Sequence, residues 1–286
     1  MEHIEVALKK AHALKGVVDR ESGKIKPVLG VAASHKISEN PVVSMPVSEK
    51  YATFSDHVTV QLDYRQMERN RIVAHAMTDP SYVVFNIMRT KVRAAMADNN
   101  WKSIAVTSPG PECGKTMVAV NFAFSLARQE DCKTVLVDLD LRRPSIAKTL
   151  GLKCDKSVVD YLKGRNNIQD CFVKVSQNLI MVLNDWPIAN SSEYMLHQRC
   201  REMTRQITES LNPDIIIFDL PPMLVGDDAM AFMPNVDSSM LVVADEQSTL
   251  KEIDECDSKL SGFDNFLGVI LNKSAEASEA NFRYQY

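Results

Sequence analysis

The sequence predicts an α/β protein whose mainly parallel sheet lies between two layers of helices. The prediction rests on two observations. Short runs of Val, Ile and Leu recur from residue 103 onward, and segments of helical length separate most of these runs. Strands that are apolar throughout are typical of parallel sheets covered on both faces, with right-handed crossover connections between the strands. We therefore expect one three-layer domain over residues 80–275.

The elements of this domain are predicted in chain order. A helix is expected shortly after Pro80, because proline is favoured in the first turn of a helix. An apolar segment that directly follows Thr116 predicts a buried helix after the first strand. The apolar runs predict strands at residues 103–106, 134–138, 179–183, 214–219, 239–244 and 267–272.

The regions on either side of this domain have a different character. Residues 1–57 are expected to form a short amphipathic helix, at 4–15, followed by a flexible tether rich in Ser, Pro, Gly and charge. Residues 58–79 are interpreted as a docking segment. Residues 276–286 are polar enough to form a mobile C-terminal tail.

The composition narrows the class of protein. The chain has 286 residues, of which 45% are hydrophobic, so it can bury a full core. Its net charge is −4 and it has no basic stripe, which argues against a nucleic-acid partner. No run of about 18 apolar residues and no signal peptide is present, so we expect a cytoplasmic protein. The six cysteines form no C-x-x-C pair and are expected to be reduced and mostly buried.

A segment between the first predicted strand and helix, TSPGPECGKT, is similar to a phosphate-binding loop. In such a loop, backbone N–H groups surround the phosphates, a lysine neutralises their charge and a hydroxyl binds magnesium. Gly114, Lys115 and Thr116 supply the end of this pattern. The earlier half is unusual, because Pro109 has no N–H and Glu112 brings a carboxylate close to the expected phosphates. The segment therefore predicts a nucleotide site, and a loop that has lost nucleotide binding stays as the alternative.

Three aspartates are predicted to meet at the same edge of the sheet. Asp138 and Asp140 follow the second predicted strand, and Asp219 ends the fourth. Open parallel sheets bind ligands at the carboxyl ends of their strands. Neighbouring carboxylates are costly without a cation or a proton to share, so a magnesium ion and an incoming hydroxyl are expected there.

Two of these motifs carry a family resemblance. Residues 135–142 fully match three aliphatic residues followed by D-x-D-x-R, and residues 215–221 fully match three aliphatics, any residue and D-x-P. Over roughly residues 80–275 the chain resembles the bacterial tyrosine kinases, which are P-loop autokinases that control capsular and extracellular polysaccharide export. The resemblance implies a P-loop NTPase-like fold and a protein-tyrosine kinase that uses ATP and Mg²⁺.

The resemblance also implies roles for individual residues. Those expected to bind ATP are Gly110, Cys113, Gly114, Lys115, Thr116, Met117 and Asn272. Those expected to hold Mg²⁺, directly or through water, are Thr116, Asp140 and Asp219. Those expected to take part in catalysis are Asp138, as acceptor of the tyrosine proton, with Lys115 and Arg142. The predicted sites of autophosphorylation are Tyr284 and Tyr286.

The chain departs from the family pattern in one helix. The helix before the loop normally carries E-x-x-R-x-x-R, whose salt bridges assemble a ring, whereas this register holds Val83, Asn86 and Arg89. Ring assembly of the usual kind is therefore in question, and self-association is left as a possibility.

Family members are fused to a membrane protein of the polysaccharide machinery or activated by a separate one. This chain is expected to need a separate partner, a membrane-embedded polysaccharide copolymerase or chain-length adaptor that recruits it to the inner face of the cell membrane. Two hypotheses follow: an ATP-dependent tyrosine autokinase that regulates exopolysaccharide or capsule synthesis and export, and a nucleotide-dependent switch ATPase without tyrosine kinase activity.

Overall fold

The computed structural model describes residues 53–76, 79 and 81–274 of the chain. The strands are β1 Ser103–Thr107, β2 Thr134–Asp138, β3 Phe172–Ser176, β4 Leu179–Val182, β5 Ile215–Asp219, β6 Ser238–Ala244 and β7 Phe266–Asn272. They form one seven-stranded sheet in the order β3-β4-β2-β5-β1-β6-β7. All neighbouring strands are parallel except β3 and β4.

Helices cover both faces of this sheet. In the described part of the chain they are α1 Tyr64–Arg69, α2 Tyr82–Asp98, α3 Lys115–Ala127, α4 Ile146–Leu150, α5 Val158–Leu162, α6 Ser191–Leu196, α7 Gln198–Leu211, α8 Asp228–Phe232 and α9 Leu250–Leu260. Short 3-10 turns lie at Phe54–Asp56, Ile168–Cys171 and Met233–Asn235.

Alternate residues of the strands enter two separate cores. Val135 of β2 packs on one face of the sheet in a cluster that includes Ile207 of α7. Its neighbour Leu136 packs on the other face in a cluster that includes Phe122 of α3. The predicted three-layer α/β fold is therefore confirmed, with each of the two helical layers closing its own core.

The predicted strands agree with the observed ones to within one residue at each end. The helix expected after Pro80 is α2, and the apolar helix expected after the loop is α3. β3 was not predicted. It is a short edge strand whose middle residues, Val173 and Lys174, are only half-buried, so its sequence lacks the continuous apolar run of the central strands.

Residues 53–76 pack onto the domain. Phe54 lies in one core and Met67 in the other. Between them, Thr59 forms a parallel bridge to Lys174 at the β3 edge of the sheet, where the N–H of Val60 donates to the Lys174 carbonyl at 2.9 Å. This segment therefore covers an edge strand that would otherwise have unpaired backbone groups.

One buried side chain of α3 holds the end of this segment. Asn121 accepts hydrogen bonds from the N–H groups of Val73 and Ala74 at 2.8 and 2.9 Å, and donates to the Arg71 and Met117 carbonyls at 2.9 Å each. Both the oxygen and the nitrogen of the Asn121 side-chain amide therefore have hydrogen-bond partners within the chain. The segment before α2 is thus fixed to the helix that begins at the phosphate loop.

The helix with the altered E-x-x-R-x-x-R register packs on α3 within the same chain. Arg89 donates to the Ser125 carbonyl at 2.8 Å, and the Ser125 hydroxyl donates to the side-chain oxygen of Asn86 at 3.1 Å. Val83, in contrast, is exposed. Two of the three register positions therefore contribute to the fold of the monomer.

Several expectations concern parts of the chain that the structure does not describe. The predicted helix at 4–15, the tether up to residue 52 and the tail from residue 276 all lie outside the described residues. All six cysteines are buried and form no disulfide bond, as predicted. No helix among residues 53–76, 79 and 81–274 has the length and apolar character needed to cross a membrane.

Candidate nucleotide and catalytic site

The phosphate loop connects β1 to α3. Gly114 is the N-cap residue of α3 and has a left-handed backbone, with φ of 87°. A Cβ atom at this position would collide with the side-chain amide of Asn272. Only glycine therefore fits here, both for its backbone conformation and for the close approach of β7.

The earlier half of the loop is held by the strand ends next to it. The Asn272 amide donates to the Cys113 carbonyl at 2.8 Å, and the Gln247 amide donates to the Pro111 carbonyl at 3.0 Å. Cys113 is buried, whereas Gly110 has open space on its Cβ side. Glu112 is exposed and has a left-handed backbone with φ of 62°, a conformation that favours glycine.

Lys115 lies among carboxylates. Its ammonium nitrogen is 2.7 Å from Asp140 and 3.3 Å from Asp219, and the residue is only 7% exposed. Burial alone would lower the pKa of Lys115, but the charges of Asp219 and Asp140 raise it above its ordinary value. Lys115 therefore carries a positive charge at neutral pH, and it lies at the N-terminus of α3.

Asp138 and Asp219 lie opposite each other on adjacent strands, β2 and β5. Both are fully buried. Burial and the charge of Asp219 raise the pKa of Asp138 well above its ordinary value. Burial also raises the pKa of Asp219, although Lys115 and the Thr116 hydroxyl, which donates to Asp219 at 2.6 Å, oppose this rise.

Backbone groups hold the Asp138 carboxylate in place. One of its oxygens accepts from the N–H groups of Ser145 and Ile146 at 3.2 and 3.1 Å, and the other accepts from the N–H of Asp140 at 3.2 Å. The Ser145 hydroxyl also donates to the Thr116 hydroxyl at 3.2 Å. The start of α4 thus fixes both the expected base and the expected magnesium ligand.

The charges of this cluster do not balance. One ammonium group faces three buried aspartates, namely Asp138, Asp140 and Asp219. Within the described residues, no group of three or more His, Cys, Asp or Glu side chains could hold a metal ion by itself. Magnesium in nucleotide sites is usually held by one or two carboxylates together with phosphate oxygens. The donor set therefore fits Mg²⁺ bound with a nucleotide, and the added cation would offset the excess negative charge.

Arg142 forms its ion pair with a residue outside this cluster. Two nitrogens of its guanidinium are each 2.9 Å from the same carboxylate oxygen of Asp228, which is 1% exposed. The Ser191 hydroxyl donates to the other oxygen of Asp228. Arg142 therefore ties the loop after β2 to α6 and α8, and we see it as a positioning residue.

The structure brings together five of the predicted residues: Lys115, Thr116, Asp138, Asp140 and Asp219. Asn272 and Cys113 border the loop through a direct hydrogen bond, and Met117 lies partly buried in the first turn of α3. The positions of Tyr284 and Tyr286 lie outside the described residues. Sequence reasoning missed Ser145, Ser191 and Asp228 as partners of site residues.

A protein-family model matches this same region. The model, described as ParA, NUBPL iron-transfer P-loop NTPase, matches residues 100–272. The chain belongs to this family of P-loop NTPases. The matched residues include all seven strands, the phosphate loop and each carboxylate of the cluster.

Individual relatives of this P-loop NTPase are bacterial tyrosine-protein kinases. The putative tyrosine-protein kinase AmsA of Erwinia amylovora is 28% identical over 252 residues, which cover 86% of this chain and 34% of AmsA. The tyrosine-protein kinase YwqD of Bacillus subtilis is 28% identical over 230 residues, which cover 77% of this chain and 92% of YwqD. The chain thus spans about a third of AmsA and nearly all of YwqD.

A solved structure gives the same result for the fold. The kinase domain of the Escherichia coli tyrosine kinase ETK superposes with a TM-score of 0.62 at 26% identity, covering 67% of this chain and 76% of that domain. The resemblance to bacterial tyrosine kinases that the D-x-D-x-R and D-x-P motifs indicated is therefore confirmed.

Proposed function

We propose that this P-loop NTPase is an ATP- and Mg²⁺-dependent protein-tyrosine autokinase. The observation that carries the proposal is the buried cluster in which Lys115 and Thr116 at the start of α3 meet Asp138 and Asp219 from neighbouring strands. Phosphoryl transfer needs positioning and charge neutralisation more than covalent chemistry from the protein. The names of the relatives support tyrosine as the acceptor.

The chain's own residues would bind the nucleotide as follows. Lys115 leaves Asp140 and Asp219 to contact the phosphates, aided by N–H groups of the loop that ends at Gly114. Thr116, with Asp140 and Asp219, would hold Mg²⁺, directly or through water. MgATP, when bound, supplies the phosphoryl group and the cation that neutralises its charge.

In this proposal Asp138 acts as the general base. The tyrosine oxygen forms a bond to the γ-phosphorus while the bond between that phosphorus and the β–γ bridging oxygen breaks. The tyrosine proton passes to Asp138, and ADP leaves with the bridging oxygen. A carboxylate with a raised pKa is a better proton acceptor than an ordinary aspartate, and backbone N–H groups hold Asp138 rigidly.

The acceptors and partners that we propose come from the sequence resemblance. Tyr284 and Tyr286 of the tail are the proposed acceptor residues, and a second copy of the chain is the enzyme that phosphorylates them. A membrane-embedded polysaccharide copolymerase or chain-length adaptor would activate the protein and bring it to the inner face of the cell membrane. The biological output would be control of exopolysaccharide or capsule synthesis and export.

The experiment is mass spectrometry of phosphotyrosine on the full chain. The protein is incubated with ATP and Mg²⁺, with and without the cytoplasmic segment of its membrane partner. We expect phosphate on Tyr284 or Tyr286, and none in the Asp138→Asn variant. No phosphotyrosine under either condition, with ATP still bound, would refute the kinase and support the nucleotide switch.

A further inference from the structure

Helix α4 connects the nucleotide site to the segment that precedes α2. It has only five residues, Ile146–Leu150, and a helix this short is not stable by itself in water. The N–H groups of Ser145 and Ile146 donate to Asp138. The Ser145 hydroxyl donates to Thr116. Because the start of α4 is bound to the site in this way, the position of these contacts depends on what holds the other end of the helix.

Two side-chain amides of the preceding segment hold that other end. The amide of Gln66, in α1, donates to the Lys148 carbonyl. The amide of Asn70, which directly follows α1, donates to the Thr149 carbonyl at 2.9 Å. The last four carbonyl groups of an α-helix lack their regular partners within the helix. The two amides therefore supply donors to acceptors that the last turn of α4 leaves open.

The contact between α1 and α4 is close and partly apolar. Met67 of α1 and Leu150 of α4 are fully buried in the same core cluster. Gly151 ends α4 with a left-handed backbone, and a Cβ atom there would lie 3.1 Å from the side-chain oxygen of Gln66. The apolar contact brings the two helices together. The amides of Gln66 and Asn70 fix the orientation of α4, since hydrogen bonds are directional and apolar contacts are not.

The same segment is attached to the second helix of the site. Asn121 of α3 binds residues 71, 73 and 74 through its side-chain amide. Helix α3 begins with Lys115 and Thr116 at the phosphate loop. The segment therefore holds both helices whose first residues form the nucleotide site, α3 through Asn121 and α4 through its last turn.

We propose that Gln66 and Asn70 are positioning residues for the nucleotide site. By holding the end of α4 against α1, they keep the start of α4 in contact with Asp138 and Thr116. Their effect on phosphoryl transfer rests on the proposed kinase activity, in which Asp138 meets the acceptor hydroxyl. A displacement of about 1 Å in a reacting group can lower a rate by about a hundredfold, so a small shift of α4 is sufficient.

This role separates catalysis from the binding of nucleotide. Lys115 and the N–H groups of the phosphate loop lie on α3 and on the loop before it, whereas the amides of Gln66 and Asn70 bind α4. Loss of both amides should therefore slow phosphoryl transfer more than it weakens the binding of MgATP.

The first measurement is amide hydrogen exchange on the full chain without nucleotide, so its outcome does not depend on kinase activity. In the double variant Gln66→Ala with Asn70→Ala, we expect the N–H groups of Ser145 and Ile146 to exchange about tenfold faster than in the parent protein. A tenfold change corresponds to about 1.4 kcal/mol, as expected for the loss of two neutral hydrogen bonds. The N–H of Ile217, in the central strand β5, is the internal reference and should keep its exchange rate.

The second measurement is the rate of autophosphorylation as a function of MgATP concentration. In the double alanine variant we expect the maximal rate to fall by about tenfold and the KM for MgATP to change by less than about threefold. The variant Gln66→Lys with Asn70→Lys should keep the maximal rate within about threefold of the parent, since lysine can also donate to the last carbonyl groups of a helix. The matched control, Arg65→Ala with Glu68→Ala, changes two exposed residues of α1 and should alter neither measurement.

Three outcomes would overturn the proposal. Unchanged exchange of Ser145 and Ile146 in the double alanine variant would mean that α1 does not position the start of α4. Faster exchange with an unchanged maximal rate would mean that phosphoryl transfer does not depend on α4. Equal effects of the double alanine variant and the matched control would indicate a general loss of stability. If the parent chain forms no phosphotyrosine, the proposed function fails, and the exchange of Ser145 and Ile146 still decides whether Gln66 and Asn70 position the site.

Discussion

Two charged clusters at the carboxyl edge of the sheet contrast in their balance of charge. Lys115 faces three buried aspartates, and the pKa values of Asp138 and Asp219 are raised by burial and by the charges around them. Arg142 faces one carboxylate, Asp228, through two contacts of 2.9 Å, so that this pair is neutral as a whole.

The difference separates a binding site from a structural contact. The first cluster has an excess of negative charge that a bound cation would offset. The second cluster, Arg142 with Asp228, has no excess charge and needs no further cation. Both clusters contain a basic residue that the motifs place near the site. What distinguishes them is the number of buried carboxylates for each positive charge, because an unbalanced buried cluster is stable only when a proton, a metal or a ligand completes it.

The largest effect is expected when the cation of the unbalanced cluster is removed. Lys115→Met should lower the rate of autophosphorylation by about a hundredfold or more, since a charged contact to the transferred phosphate is lost. Phosphotyrosine formation under saturating MgATP measures this. Lys148→Met on the exposed side of α4 is the control and keeps the parent rate. A Lys115→Met variant that retained a tenth of the activity would contradict the assignment.

Breaking the balanced pair should instead reduce stability. Arg142→Met leaves the Asp228 carboxylate buried with the Ser191 hydroxyl as its remaining side-chain partner among the described residues. We expect the free energy of unfolding to fall by about 1–3 kcal/mol in urea titrations. Arg143→Met, at an exposed neighbouring position, should change it by less than about 0.5 kcal/mol. A loss of ATP binding in Arg142→Met without loss of stability would place Arg142 in the site instead.

The next effect in size is the pH dependence of stability, which should differ between the Lys115 cluster and the Arg142–Asp228 pair. Because the pKa of Asp138 is raised in the folded chain, that state keeps a proton that the unfolded chain releases. The free energy of unfolding therefore falls as the pH rises from about 4 through the raised pKa. The total fall is about 1.4 kcal/mol for each unit by which folding raises the pKa.

The variant Asp138→Asn removes this titrating group. Its free energy of unfolding, measured in urea between about pH 5 and pH 8, should fall less steeply than that of the parent protein. If the two pH profiles ran parallel, Asp138 would not carry the excess charge of the cluster.

The smallest effect concerns the unusual half of the phosphate loop. Glu112→Gly removes a left-handed non-glycine backbone and a carboxylate near the expected phosphates, so stability should rise by up to about 1 kcal/mol and ATP affinity by about threefold. Glu246→Gly is the matched control, since Glu246 is also exposed and has φ of 58°. We expect Glu246→Gly to gain stability without any change in its affinity for ATP. A weaker affinity for ATP in Glu112→Gly would show that Glu112 assists binding.

The central strands could be predicted because their burial on both faces favours consecutive apolar residues. The residues of β2, for example, are apolar from Val135 to Val137 and end in an aspartate. β3 could not be predicted in this way. It is an antiparallel edge strand with Lys174 in its middle, and its place in the fold depends on the pairing with β4.

The binding cluster could be predicted for a related reason. Its residues lie at the ends of β2 and β5 and at the start of α3, which the phosphate loop connects to β1. Because β1, β2 and β5 lie side by side in the sheet, local motifs suffice to bring these residues together. The partner of Arg142 is 86 residues away in the sequence, and no local pattern indicates which carboxylate it contacts. The same holds for Asn121, because a polar residue in a mainly apolar helix gives no sign that it binds residues 71, 73 and 74.

Calorimetric titration of MgATP into the parent protein, Lys115→Met and Arg142→Met tests the central claim most directly. The account predicts micromolar binding to the parent despite Glu112, a loss of about a hundredfold or more in Lys115→Met, and a change of less than about threefold in Arg142→Met. No binding to the parent protein, or equal losses in the two variants, would contradict the distinction between a nucleotide site and a structural ion pair.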